Sequence, residues 1–125
     1  MKSLLAAFIA LAFACAAAPS VAADARNVNV INETGYDIRT LGFNGPDDGL
    51  DEWDNELSSP LRDKGSTYVT FDEDEDDGCI WNIKVSWVGY SESESVLWRN
   101  VNLCRITALR LRYNGQTNTT SFVAE

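Results

Sequence analysis

Histidine is absent from the 125 residues, and methionine, proline and cysteine number only 1, 3 and 3. Without imidazole there is no histidine-based nucleophile triad, no imidazole general base and no histidine-ligated zinc. Bases are scarce as well, 10 Lys and Arg standing against 19 Asp and Glu for a formal net charge of −9. A chain of that sign repels a phosphate backbone, which excludes direct nucleic-acid binding. Long hydrophobic runs are missing too. The longest uncharged, mostly apolar stretch is the fifteen residues from Leu4 to Ala18. That falls short of the roughly 20 apolar residues of a membrane-spanning helix, and Ala, a weak membrane inserter, supplies much of it.

What that stretch does resemble is an export signal. Lys2 supplies a basic start, Leu4 to Ala18 an apolar centre, and Val21, Ala22 and Ala23 small or short residues for cleavage. Residues 1–23 therefore read as a signal peptide, with cleavage after Ala23 and Asp24 as the new first residue. Cuts after Ala22 or Ala25 satisfy the same pattern. The segment Ala12-Phe13-Ala14-Cys15 is a poor lipobox, its Ala and Phe fitting badly, so no stable membrane anchor is expected unless Cys15 is lipidated. The expected location is periplasmic or secreted. Residues 24–125 are then one domain, 102 residues long with a net charge of −10. Two cysteines remain in it, Cys79 and Cys104. An even count in an exported chain favours a disulfide, here closing a loop of 26 residues, for which the chain-entropy estimate is about 3.5 kcal/mol.

Alternation with a period of two dominates the mature part and predicts an all-β domain, a small sandwich or barrel of six or seven strands. The clearest strand runs from Cys79 to Val88, with Trp81, Ile83, Val85 and Trp87 on one face and Asn82, Lys84 and Ser86 on the other. Further strands are expected at 27–32, 36–43, 67–71, 96–101, 106–113 and 120–123. Asn32 to Gly35 and Asn114-Gly115 carry hairpin-turn chemistry, because Asn and Gly tolerate positive φ. Between Gly42 and Gly65 the alternation fails, and Leu50, Trp53 and Leu57 at helical spacing predict one or two turns of helix pinned by Trp53.

Charge is concentrated in one part of the chain. From Asp47 to Asp77 there are 13 acids and 2 bases, a net of −11, whereas the rest of the mature chain is close to neutral. Asp72 to Asp77 are six consecutive carboxylates between two predicted strands. Hard cations such as Ca²⁺ take six to eight oxygens from loops of this kind, so Asp72, Asp74, Asp76 and Asp77 are candidate ligands. A solvated loop that blunts a strand edge is the plain alternative. The run lacks the central Gly and spaced Glu of an EF-hand. Asp47, Asp48, Asp51, Glu52, Asp54 and Glu56 form a second acidic set, able to share cations with the first only if both loops lie at one end of the sandwich.

Two resemblances attach to these residues. Asp54-Asn55-Glu56-Leu57-Ser58-Ser59, continued by Gly65, Phe71 and Gly78, resembles the calcium motif of the βγ-crystallins; the likeness implies Asp54, Asn55 and Ser59 as ligands. It departs from that family at Pro60 and has no second Greek-key copy. More widely, Asn32-Glu33-Thr34-Gly35-Tyr36, Trp53 with Leu57, Cys79-Ile80-Trp81 and Asn102-Leu103-Cys104-Arg105-Ile106 are similar to small secreted bacterial proteins of unknown function. That similarity implies a disulfide-bearing β domain and no activity.

The remaining features point to binding rather than catalysis. Trp53, Trp81, Trp87 and Trp98, with four Tyr, suit a carbohydrate-binding module if exposed, but Trp81 and Trp87 share a face with Ile83 and Val85 and read as core. Arg110 and Arg112 share a strand face opposite Leu109 and Leu111 and read as a solvated outer surface. Clustered solvated acids lack the asymmetry that acid–base hydrolysis needs, and Ser58 and Ser59 have no base. The sequence therefore predicts a non-catalytic exported module. It binds Ca²⁺ or a similar cation, or else a basic protein partner in an inhibitor-like manner, or else a carbohydrate.

Overall fold

The computed structural model describes residues 24–46, 48–72 and 78–125. The signal segment 1–23, and the candidate ligands Asp74, Asp76 and Asp77, lie outside the described residues. The described part is an all-β sandwich of two four-stranded sheets, so the barrel alternative falls away. One sheet has the order β4 (Ser66–Val69), β1 (Val28–Glu33), β7 (Ala108–Asn114), β8 (Thr119–Ala124). The other has the order β3 (Asp54–Asn55), β2 (Ile38–Asn44), β5 (Ile80–Trp87), β6 (Val96–Asn102). Neighbouring strands are antiparallel except β1 and β7, which pair in parallel from Asn29 opposite Ala108 to Glu33 opposite Arg112.

Inward-facing residues of both sheets meet in one core. Val28, Val30, Leu109 and Leu111 come from the first sheet, and Ile38, Leu41, Ile83 and Val85 from the second, all at most 1% exposed. Burying side chains of this size contributes roughly 1.5–3 kcal/mol each, which makes the alternation the main determinant of the fold. Trp81 and Trp87 are buried in this core as their strand face requires, and their indole N–H groups donate to the Gly78 and Glu94 carbonyls. Arg110 and Arg112 do face outward, Arg110 pairing with Glu33 and Glu125 and Arg112 with Glu33. The Cys79–Cys104 disulfide joins the segment before β5 to the 3₁₀ turn Leu103–Arg105 after β6.

Two local expectations are corrected. Asn32 to Gly35 does not close a hairpin, because β1 and β2 belong to different sheets and the segment is a crossover between them. Asn32 makes the crossover: its buried amide donates to the Tyr36 and Leu61 carbonyls, and its oxygen accepts from the Thr34 N–H and hydroxyl. The turn chemistry was real, but Asn turns its own backbone as readily between sheets as within one. The second correction is the helix expected around Leu50, Trp53 and Leu57, which does not form. Asp54–Asn55 instead pair with Gly42 and Phe43 as a short edge strand. Trp53 lies over Gly42, where an added Cβ would sit 3.0 Å from its ring, so the indole covers the sheet and a helical path is unavailable. After β7, by contrast, the hairpin forms as expected, with Asn114 opposite Thr119; the residue with positive φ is Asn118.

Candidate functional site

Strand direction places two loop clusters at opposite ends of the sandwich. At one end β2 finishes, β4 finishes and β5 begins, so the segments 48–53 and 70–72 come together with Trp81. Between them is a cavity of about 770 Å³. Its apolar walls are Phe43, Trp53, Phe71 and Trp81, with Phe71 in edge-to-face contact with both Phe43 and Trp81. Asp48, Asp51, Glu52, Asp54, Glu56 and Asp72 stand around it, each exposed. The start of the long acidic run and the second acidic set therefore share one cavity, as cation sharing requires.

Asn44 belongs to the same cavity and is 3% exposed. Its amide nitrogen donates to the Gly49 carbonyl at 3.2 Å, which fixes the loop, while its Oδ1 is buried with no hydrogen-bond partner. Buried acceptors are nearly always satisfied, so this oxygen, beside a cavity, is open to a water, another donor or a cation. Apart from the Thr70 hydroxyl, the polar side-chain atoms that line the walls and remain unspent are oxygens that only accept. The two indole N–H groups are already used, Trp53 donating to Leu50 and Trp81 to Gly78.

Arg26 shows how this end treats a cation. It is 6% exposed, with its guanidinium 5.3 Å from the Phe71 ring centre and 5.7 Å from that of Trp81. Its Nη2 donates to Asp24 Oδ2 at 2.7 Å and to the Asp72 carbonyl at 2.8 Å. The Arg26 side-chain hydrogen bond, with help from its backbone N–H, holds the Asp24 carboxyl down at about 2. The sequence signal for Arg26 was faint, a lone base ahead of the first strand, and only the fold brings it against aromatics 45 and 55 positions away.

The sites expected from the crystallin-like motif are only partly assembled. Asp54 lines the cavity, but Asn55 and Ser59 do not. Asn55 Oδ1 accepts from the Leu41 and Leu57 N–H groups, so both its lone pairs hold β3 in place. Asp72 lines the cavity, while Asp74, Asp76 and Asp77 lie outside the described residues. Among the described residues, no three acids or cysteines stand close enough together to hold one metal ion.

No protein family, curated protein or solved structure matches the chain. The site's chemistry rests on its own residues.

Of the four tryptophans on which the carbohydrate expectation rested, Trp53 lines the acidic cavity and the other three are wholly or partly buried. Trp81 and Trp87 are core, and Trp98 is half-buried edge-on to Phe122, 5.2 Å between ring centres, where it closes the side of the sandwich between β6 and β8. Open aromatic surface remains on tyrosines, Tyr68 alone on β4 at 59% exposed and Tyr36 and Tyr90 together at the other end at 40% and 48%.

Proposed function

We propose that the protein is an exported, non-catalytic binding module whose acidic end recognises the basic side chains of a protein partner. The observation that carries this reading is the cavity itself, in which exposed carboxylates surround aromatic walls. Lysine and arginine side chains are matched by that pairing, the carboxylates meeting charge and hydrogen-bond donors and the rings meeting the cation face-on. Arg26 already sits against Phe71 and Trp81 in this way from within the chain. A dense negative patch also steers a basic partner during encounter, which suits an inhibitor-like or capture role. The Cys79–Cys104 disulfide is compatible with an oxidising compartment, as export requires.

Ca²⁺ or a similar cation is the second reading, favoured by the orphaned Asn44 Oδ1 near a set of carboxylates. Because the described carboxylates do not converge, an ion would have to draw the loops together, and binding would then raise the melting temperature. One comparison separates the two. An arginine-rich peptide and CaCl₂ are titrated separately into the mature protein by calorimetry, and the melting temperature is compared in CaCl₂ and in NaCl of equal ionic strength. Peptide binding that disappears when Asp48, Asp51 and Asp54 are replaced by Asn, with equal shifts in the two salts, is the expected result. A larger shift in CaCl₂ without peptide binding transfers the assignment to the cation. Neither response removes the acidic end as a binding site.

A further inference from the structure

The opposite end of the sandwich carries a second open groove, of about 530 Å³, that the acidic reading does not use. It lies where β5 and β7 finish and β8 begins, and it runs between the edge strands β6 and β8. Tyr36 is its centre. Its ring meets Trp87, Tyr90 and Tyr113 edge-on, at 6.3, 5.9 and 5.3 Å between ring centres and interplanar angles of 69°, 88° and 85°. Edge-to-face packing of this kind fixes ring orientation, while the exposure of Tyr36 and Tyr90 leaves aromatic surface open to a ligand. Tyr113 is held further by donating its hydroxyl proton to Asn118 Oδ1 at 2.8 Å.

The polar part of the wall is of a different kind from the acidic end. Ser93, Ser95, Thr119, Thr120 and Asn118 line the groove, with Glu94 as the single charged residue. Ser93 is bonded to the Ser91 hydroxyl, and Ser95 and Thr119 donate to the Glu92 and Thr117 carbonyls. These three therefore offer acceptor lone pairs while Thr120 can donate as well as accept, a wall that complements a ligand whose own polar groups are hydroxyls. The absence of Lys and Arg from the described lining disfavours a phosphate or sulfate ligand, and the density of hydroxyls disfavours a lipid chain. We infer that the tyrosine groove between β6 and β8 binds a neutral oligosaccharide, the C–H faces of its rings stacking on Tyr36 and Tyr90 and its hydroxyls bonding the serine and threonine wall. The groove is open along the strand edges, so the ligand is a stretch of chain rather than an enclosed monosaccharide.

The test uses a panel of neutral oligosaccharides, six-residue gluco-, xylo- and chito-oligosaccharides, titrated into the mature protein by calorimetry and followed by amide NMR shifts. Binding of one class with Kd of about 1 mM or tighter, with shifts confined to residues around Tyr36, Tyr90 and Thr120, is expected. Tyr90→Ala, at an exposed position, should weaken it about tenfold. Thr120→Val supplies a second variant: it makes the wall more apolar, so a sugar should bind several-fold more weakly whereas an apolar peptide should bind more tightly. Shifts elsewhere on the surface, affinity unchanged in both variants, or no binding by any member of the panel overturns the inference.

Discussion

The two ends of the sandwich each hold a buried asparagine, and the two are used in opposite ways. Asn32, at the tyrosine end, is fully buried and spends both its amide donors and its oxygen on the crossover from β1 to β2. Asn44, at the acidic end, is nearly as buried but leaves its oxygen without a partner. The first residue is structural, because its bonds to backbone at Thr34, Tyr36 and Leu61, with one to the Thr34 hydroxyl, hold the crossover closed. The second is built into a cavity with acceptor oxygens around it, and its own oxygen stays open to whatever enters that cavity, water or ligand. Burial alone does not separate the roles; accounting for each polar atom does.

The largest effect that tests this contrast comes from the disulfide, which ties the acidic end where Cys79 precedes β5 and Cys104 follows β6. Replacing both cysteines by Ala should lower the unfolding free energy by about 3.5 kcal/mol, read from urea denaturation. The fall should be accompanied by easier amide exchange around Trp81 and Leu103 than around Asn32. A loss below about 1 kcal/mol, or exchange that rises first at the tyrosine end, would mean that the acidic end is held by its side-chain contacts and not by the covalent loop.

Next in size is the substitution of Asn32. Asn32→Ala should cost roughly 2–4 kcal/mol, because it leaves the Thr34 N–H without its acceptor in a buried setting. It also takes one of two donors from each of the Tyr36 and Leu61 carbonyls, which keep the Thr34 hydroxyl and the Ile38 N–H. Asn32→Asp should be no better, since a carboxylate supplies no donor to those two carbonyls. Asn44→Ala breaks the comparison if the account is wrong. It removes amide hydrogen bonds to the Gly49 carbonyl at 3.2 Å and, more weakly, to the Glu52 carbonyl at 3.5 Å, together with an unsatisfied oxygen, so the expected cost is about 1 kcal/mol. Equal costs at the two positions would show that Asn44 is as structural as Asn32.

Much of this was legible in the chain and some of it was not, for reasons tied to range. All seven strands expected from alternation formed, because the pattern Val28-Asn29-Val30 or Trp81 to Trp87 is dictated by one buried face. The core positions of Trp81 and Trp87 follow from their neighbours on the same face, Ile83 and Val85. The helix at Leu50, Trp53 and Leu57 was misread because three apolar residues at helical spacing look alike whether they share a helix or lie over a sheet. What decided the matter was Gly42, eleven positions away from Trp53, whose missing side chain makes room for the indole. The meeting of the two acidic sets, the orphaned Asn44 oxygen and the grouping of Tyr36, Tyr90 and Tyr113 depend on which strand ends share an end of the sandwich, and no local pattern encodes that.

The smallest effect is a pH dependence in which two contributions of opposite sign meet at the acidic end. Arg26 holds the Asp24 carboxyl at about 2, below the ordinary 3.8, so the unfolded chain takes up a proton at higher pH than the folded one. The Asp24 contribution is therefore complete above pH 3.8, declines as pH falls and is gone once pH passes below about 2. Glu125 is lowered by the hydrogen bond from Arg110, and Glu92 by that from Ser95, so both add losses of the same sign at low pH. Protonating the exposed acids around the cavity acts the other way, since it relieves mutual repulsion in the compact state. Asp24→Asn removes the Asp24 loss without touching the relief. Its stability should consequently fall less steeply than that of the natural chain between about pH 4 and pH 2, as measured by urea denaturation at fixed ionic strength. Parallel slopes in the two proteins would place the acid sensitivity at Glu92 and Glu125 and leave the Asp24–Arg26 pair without a part in it.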